Sequence, residues 1–174
     1  MLAQDMPATR EPVAERRRSF FDAAREHLKR EWGVLILADN TLVPHGRDAG
    51  FSADGKPLYE REYDHGKASG RWRTWWPNGK PRMEATYGAS EPQPMRWWFE
   101  SGQLSSEGPA IDGVKNGEWT FFHENGAKAS QGNYSAGARE GEWSFWNEDG
   151  SLTERGEFRN DARVGEWTHA AKVP

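Results

Sequence analysis

Residues 117–126, with the sequence GEWTFFHENG, decide the fold of this chain. An Asn-Gly pair behind an apolar run is a strong signal for a β-hairpin, because both central residues of a type I′ turn need positive φ. The turn glycine recurs at spacings of 24, 23, 24 and 24 residues, each time behind a turn-forming residue. The five pairs are Asp54-Gly55, Asn78-Gly79, Ser101-Gly102, Asn125-Gly126 and Asp149-Gly150. We therefore predict five type I′ hairpin turns, joined by loops, in units of about 24 residues.

The residues that flank these turns repeat as well. Aromatic side chains recur four and seven residues before the turn glycine and eight residues after it, and a small residue recurs six residues after it. Alternation along a strand places the fifth and seventh residues before the glycine on one face and the fourth on the other. Large rings bury about 150–250 Å² each and can replace an aliphatic core. The predicted structural rows are Trp72, Trp119, Trp143 and Trp167, then Trp75, Phe122 and Trp146, then Tyr63, Tyr87, Tyr134 and Phe158.

Composition excludes several classes of protein. Among 174 residues, aromatics reach 13% with 10 Trp, which a disordered chain would lack, and the 19 Gly argue against a helical bundle. The absence of Cys excludes disulfides and thiolate zinc sites. A net charge of -4 disfavours nucleic acid as a partner. No apolar run reaches the roughly 20 residues of a transmembrane segment.

The N-terminal part differs from the rest, so we divide the chain into three segments. Residues 1–14 are predicted to be a mobile leader, residues 15–45 a helix and strand that cap the array, and residues 46–174 the hairpin repeats. The helix is expected over residues 15–32, since apolar side chains recur there at steps of three and four residues. Gly33 would be its C-cap, residues 34–38 a short strand, and Asp39-Asn40 a turn. The apolar side chains of the helix are Phe20, Phe21, Ala24, Leu28 and Trp32.

The first residues carry a clue to localisation. Leu2-Ala3-Gln4-Asp5 resembles the end of a cleaved bacterial secretory signal, although the charged and apolar regions of such a signal are absent. This start slightly favours an exported, periplasmic protein from which the signal has been removed. An ordinary native start, and hence a cytoplasmic protein, is the alternative.

No arrangement of residues predicts catalysis, a metal site or a cofactor. The five His residues do not recur within the repeat, and none has a metal-ligand spacing. The serines lack a nucleophile context, and the glycines do not open a helix to hold a phosphate. Glu118, Glu142 and Glu166 recur beside the tryptophans, but equivalent positions on a flat sheet would give them equal environments, unlike a glycosidase pair. We interpret them as a solvated face and expect a non-catalytic protein.

One unit departs from the repeat, and we assign the partner-binding residues to it. Between Gln93 and Asp112 the opening glycine, the seventh-back Trp and the second-strand Tyr are all missing. The candidate contact residues there are Met95, Trp97, Trp98, Phe99 and Glu100. Residues 100–174 carry 13 acidic against 7 basic side chains, a surplus that suits a basic protein partner. Solubility is the alternative explanation of that charge.

The segment 117–126, followed by Gly132, Tyr134 and Gly137, resembles the MORN-variant repeat found in the YwqK-type antitoxin family. Further copies run from Gly141 to Phe158 and from Gly70 to Tyr87, so that the resemblance covers roughly residues 46–169. It implies an elongated antiparallel sheet of successive hairpins. Together with the predicted helix, this gives an all-β fold with a short N-terminal α cap.

Three non-enzymatic functions follow from these observations. The resemblance implies a protein-binding module, an immunity or antitoxin protein that neutralises a cognate toxin or effector. A second hypothesis is a cell-wall module that binds choline or glycans, because aromatics can cage a quaternary ammonium. A membrane or cytoskeletal scaffold is the third, although binding to anionic lipid favours a basic face. We rank protein binding first, and the identity of the partner is open.

Overall fold

The strands of this protein lie side by side in the order of the chain. The computed structural model describes residues 11–169, and the 14 strands in this range form one antiparallel sheet. The two-residue strand β9 pairs only with β8. With strands about 4.8 Å apart, the other 13 extend for roughly 60 Å. The strands are β1 (Val13–Phe20), β2 (Leu28–Ile36), β3 (Leu42–Phe51), β4 (Pro57–Asp64), β5 (Lys67–Trp75), β6 (Pro81–Tyr87), β7 (Gln93–Trp98), β8 (Leu104–Ile111), β9 (Val114–Lys115), β10 (Gly117–Phe122), β11 (Lys128–Ser135), β12 (Ala138–Trp146), β13 (Leu152–Arg159) and β14 (Ala162–His169).

The five predicted hairpin turns lie where the sequence places them, but the predicted turn type is wrong. In each pair only the glycine has a positive φ, between 82° and 92°. The N–H of Gly126 donates to the His123 carbonyl (2.9 Å), and the N–H of His123 donates to the Ala127 carbonyl (2.8 Å). This is the pattern of a type I turn followed by a left-handed glycine. Asn125 avoids the left-handed region, and its side chain instead accepts the N–H of Ala127 (2.9 Å).

Two-residue turns with two left-handed residues lie at the other end of the sheet, where we predicted loops. They have φ values between 47° and 89°, and positive φ at both central residues defines a type I′ turn. Such turns match the twist of the strands that they join, which offsets the strain at a non-glycine residue such as Ala136. Residues 88–92, between β6 and β7, form a longer connection. The four short turns are His65-Gly66, Asp112-Gly113, Ala136-Gly137 and Asn160-Asp161.

The predicted N-terminal helix is wrong, because residues 13–36 form the hairpin of β1 and β2 instead. Although a bulge after Leu28 places the side chains of Leu28 and Trp32 on opposite faces of β2, their four-residue spacing fits one face of a helix and also one face of a regular strand. Pairing with β3 decides between the two, since β2 covers an edge that would otherwise be unpaired. Gly33 is not a helix cap: a Cβ there would lie 2.0 Å from the His45 carbonyl oxygen, so it permits close approach of β3.

The rest of the N-terminal segment agrees in part with the sequence analysis. Val34 and Leu35 are buried in β2, which ends at Ile36, and the turn at Asp39-Asn40 is present. Asp22 closes the loop between β1 and β2 by accepting the backbone N–H of His27 (3.0 Å). Residues 1–10, including most of the predicted leader and the Leu2-Ala3-Gln4-Asp5 start, lie outside the described residues.

Candidate functional site

The seventh-back tryptophans form a row on one face of the sheet, which we call the tryptophan row (Trp72, Trp119, Trp143 and Trp167). Trp119 is 0% exposed and Trp143 is 2% exposed. Their indole N–H groups donate to the carbonyls of Pro109 (2.7 Å) and Asn133 (3.2 Å) on the preceding strand. Trp72 donates in the same way to Glu62 (2.9 Å). Trp72, Trp119 and Trp143 therefore link their hairpins to the preceding strand, whereas the indole N–H of Trp167 makes no hydrogen bond within residues 11–169.

The other predicted rings on this face pack against the row. Tyr134 lies edge-on to Trp143, with ring centroids 5.2 Å apart. Tyr63 and Tyr87 flank Trp72 at 5.3 and 4.4 Å, and Phe158 lies 5.1 Å from Trp167. Burial raises the pKa of the Tyr87 and Tyr134 hydroxyls. The rings on this face therefore pack against one another from hairpin to hairpin.

Cations from the same chain cover this aromatic face, an arrangement that the sequence analysis missed. The Lys115 ammonium lies 4.5, 4.4 and 4.8 Å from the ring centroids of Trp119, Phe121 and Tyr134. The Arg139 guanidinium lies 3.9 Å from Phe158, and burial lowers the pKa of Lys115. The sequence does contain a signal for this arrangement: three basic side chains recur every 24 residues, each four residues before a tryptophan. They are Lys115, Arg139 and Arg163.

The opposite face of the sheet carries charged side chains that pair across neighbouring strands. Arg96 lies 3.1 Å from Glu107, and Arg155 contacts Glu142. Exposed pairs of this kind contribute only about 0–1 kcal/mol each, so they keep the face solvated more than they stabilise it. The repeated glutamates are exposed here, as we expected of a solvated face. They are Glu118, Glu142 and Glu166.

The end of the sheet that carries the five glycine turns combines aromatic and acidic side chains, and we call it the turn edge (residues 52–56, 76–80, 99–103, 123–127 and 147–151). Neighbouring turns are joined by hydrogen bonds: the Asn78 amide donates to the Glu100 carbonyl, and the Asn125 amide donates to the Glu148 carbonyl, both at 2.8 Å. The Trp76 indole N–H donates to the Trp98 carbonyl (3.0 Å). These bonds tie the second turn to the third and the fourth turn to the fifth.

Half-buried rings lie beside the turn edge, at the ends of the strands that lead into it. The strand order shows that they are two strands apart along the sheet, because each belongs to a successive hairpin. Trp75 and Trp98 line a shallow pocket of about 200 Å³ together with Arg71, Arg73 and Glu84. The rings in this column are Phe51, Trp75, Trp98, Phe122 and Trp146.

Three exposed glutamates occupy the same position in consecutive turns. Glu100, Glu124 and Glu148 each lie two residues before the turn glycine. No ion pair between these side chains and any other residue in the range 11–169 is present. Since successive hairpins are two strands apart, the carboxylates recur about every 10 Å along the turn edge. The result is an acidic row next to a column of aromatic rings.

The residues predicted to bind a partner are distributed over the core and this edge. Met95 is 6% exposed and packs in a core cluster with Met83, Ala85, Ala110 and Trp119, in the place that Trp occupies in other repeats. Trp97 packs against the same cluster. The side chains that remain accessible at the turn edge are Trp98, Phe99 and Glu100.

Three segments of the chain match the family model of the MORN repeat variant, at residues 68–88, 115–136 and 139–160. They cover β5–β6, β9–β11 and β12–β13, so each match is one hairpin of the array. No curated protein matches the chain. Within residues 11–169 no helix is long and apolar enough to cross a membrane. The architecture is typical of a repeat-type binding module.

Proposed function

We propose that this chain is a non-catalytic protein-binding module of the immunity or antitoxin type, and that it neutralises a basic toxin or effector through the turn edge. The observation that carries the proposal is the alignment of Glu100, Glu124 and Glu148 beside half-buried tryptophans. Large aromatic anchors next to complementary charges are typical of protein interfaces. The resemblance to the antitoxin family supports the biological role.

The spacing of the acidic row indicates how basic side chains would be arranged on the partner. Carboxylates about 10 Å apart match basic side chains on every third residue of a polyproline II segment, which has three residues per turn and a rise of about 3.1 Å per residue, or seven residues apart along a helix. A partner of this kind would place its basic residues on the three turns and an apolar side chain against Trp98 or Trp146. The hydrogen bond between the Asn125 amide and the Glu148 carbonyl fixes two of these turns relative to each other before binding, which reduces the entropy cost of association.

The occupied aromatic face argues against the wall-binding hypothesis. A cage for a quaternary ammonium needs aromatic rings that are free to receive it. Lys115 already lies over Trp119, Phe121 and Tyr134, and Arg139 and Arg163 cover the next two repeats. Choline would have to displace a covalently tethered cation at each of these positions.

The test compares two variants with the same change in charge. The triple variant Glu100→Lys, Glu124→Lys, Glu148→Lys reverses the acidic row, and Glu118→Lys, Glu142→Lys, Glu166→Lys is the matched control on the strand face. Each is used to capture proteins from the native host. We expect a basic protein to be captured by the unchanged chain and the control, and to be lost with the turn-edge variant. Trp98→Ala should weaken its capture as well.

The antitoxin role is tested on the captured protein. It should inhibit growth when it is expressed alone, and co-expression with the unchanged chain should restore growth. Equal loss of capture in both triple variants would mean that only net charge matters. Binding of choline or glycan without any captured protein would support the wall-binding hypothesis instead.

A further inference from the structure

A cluster of metal-binding side chain types lies at the end of the sheet opposite the turn edge. His45 lies in β3, Asp64 ends β4, and His65 is the first residue of the type I′ turn that follows. Pairing of Gly46 with Tyr63 places His45 opposite Asp64, although the two are 19 residues apart in the chain. Their ligand atoms all lie within 4.8 Å of one another. The sequence spacing of these residues carries no metal-binding pattern.

The two imidazoles surround one carboxylate oxygen. His65 Nδ1 lies 2.6 Å from Asp64 Oδ1, and His45 Nδ1 lies 3.5 Å from the same oxygen. The rings are close to perpendicular, with centroids 5.0 Å apart. A tetrahedral zinc ion with bonds of about 2.0–2.1 Å keeps its ligand atoms roughly 3.4 Å apart. Small side-chain rotations therefore suffice to bring all three groups onto one ion.

The backbone around the cluster is fixed. The N–H of Gly66 donates to the Pro44 carbonyl (2.8 Å), which ties the turn to β3. His65 has a φ of 47° and is held there by the two-residue turn. The side chain of His45 is 33% exposed, that of Asp64 67% and that of His65 68%. An ion from solution can therefore reach the ligands without any opening of the fold.

We propose that His45, Asp64 and His65 bind a divalent first-row transition metal ion, with Zn²⁺ as the reference case. Two imidazoles and one carboxylate suit Zn²⁺, Ni²⁺ and Cu²⁺, whereas Mg²⁺ and Ca²⁺ prefer oxygen ligands. Binding of the ion breaks the hydrogen bond that the backbone N–H of His65 donates to His45 Nδ1 (3.3 Å). It also breaks the contact between the His65 ring and the Asp64 carboxylate. Both displaced groups are exposed, so water satisfies them. A fourth coordination position remains open to water.

Binding of the ion links β3 to the turn that opens the first matched repeat. Because the unfolded chain does not hold the three ligands together, the bound ion stabilises the folded state by mass action. Zinc should therefore raise the melting temperature of the protein with the logarithm of its concentration once that concentration exceeds the dissociation constant. This inference is independent of the protein partner proposed above.

The test is zinc titration of the full chain, prepared without a polyhistidine tag and freed of metal by a chelator. Isothermal calorimetry should show one Zn²⁺ per chain, with a rise in melting temperature, while Mg²⁺ gives no heat. His45→Ala, His65→Ala and Asp64→Asn should each weaken binding on the order of tenfold or more. His27→Ala is the matched control, because His27 is also exposed and bonded to an aspartate, Asp22.

Circular dichroism of each variant keeps the test interpretable, since none of the three side chains is buried and their removal should leave the sheet intact. Equal zinc affinity in His45→Ala and the unchanged protein would overturn the proposal. So would the absence of zinc binding, or loss of binding in His27→Ala alone.

Discussion

A methyl group on Gly132 would lie 2.4 Å from the indole of Trp143. Gly108 has the same relationship to Trp119 (2.5 Å) and Gly156 to Trp167 (2.3 Å). Gly132 does not have a positive φ, so backbone conformation does not require a glycine there. In these three repeats the glycine is required by the tryptophan of the repeat that follows.

Substitution of Gly132 by Ala should destabilise the protein by about 1–3 kcal/mol, the usual cost of overpacking a core. The free energy of unfolding is measured by urea denaturation. Because the cost comes from the contact with Trp143, it should fall when Trp143 is replaced by Leu. Additive effects in this double-mutant cycle would contradict the explanation.

In the irregular unit between Gln93 and Asp112, the matching test is to introduce the missing tryptophan. Met95 replaces the tryptophan there, and the preceding small residue is Ala85, which packs in the same cluster. Met95→Trp alone should lower the melting temperature, because the indole has no room beside the Ala85 methyl. Ala85→Gly with Met95→Trp should recover part of the loss. If the double variant is no more stable than Met95→Trp, the pairing of small residue and tryptophan is not the cause.

Truncation of the buried indoles should cost more than any surface change. Trp119→Ala and Trp143→Ala should each lower the free energy of unfolding by about 3–5 kcal/mol, since both rings are almost fully buried. Leu152→Ala is the control, because Leu152 is 40% exposed. Chemical denaturation monitored by circular dichroism distinguishes them. A loss below about 1 kcal/mol at both tryptophans would contradict the buried core.

Lowering the pH should reduce the free energy of unfolding, because Glu60 becomes protonated. Burial raises the pKa of Glu60, but ion pairs with Arg47 and Arg73 outweigh burial and lower it below its ordinary value of 4.5. The ion pairs therefore stabilise the fold above the unfolded-state pKa, and this contribution is lost as the pH falls through the folded-state pKa.

We expect the free energy of unfolding of Glu60→Gln to change less between about pH 6 and pH 3 than that of the unchanged protein. Glu124→Gln, at an exposed turn, is the control for loss of one carboxylate. Identical pH profiles for Glu60→Gln and the unchanged protein would show that Glu60 does not contribute.

The turn positions and aromatic rows could be predicted because each is a local signal repeated at one spacing. Turn type could not, since the same glycine fits a type I′ turn and a type I turn with a left-handed residue. Asn125 decides it through side-chain hydrogen bonds that sequence alone does not reveal. The false helix arose because a spacing of four residues, as between Leu28 and Trp32, fits a helix as well as a regular strand, and only pairing with β3 distinguishes the two structures.

The candidate surfaces were predictable only in part. Trp98 and Glu100 were found because the repeat is broken near them, whereas Glu124 and Glu148 belong to regular units and did not stand out. Lys115 was counted as a charge, and its position over three rings depends on the sheet being assembled. His45 and His65 meet through strand pairing, which no local spacing encodes.

In the described sheet, each hairpin forms its backbone pairing with the neighbouring hairpins alone. The number of repeats can therefore change in whole units. Removal of residues 127–150 would join Gly126 to Ser151 and delete one complete unit. All the remaining turns would keep their places in the repeat. Duplication of one unit would lengthen the acidic row by about 10 Å. A gene that gains or loses 72 base pairs in frame would therefore change the length of the acidic row by one unit without altering the fold.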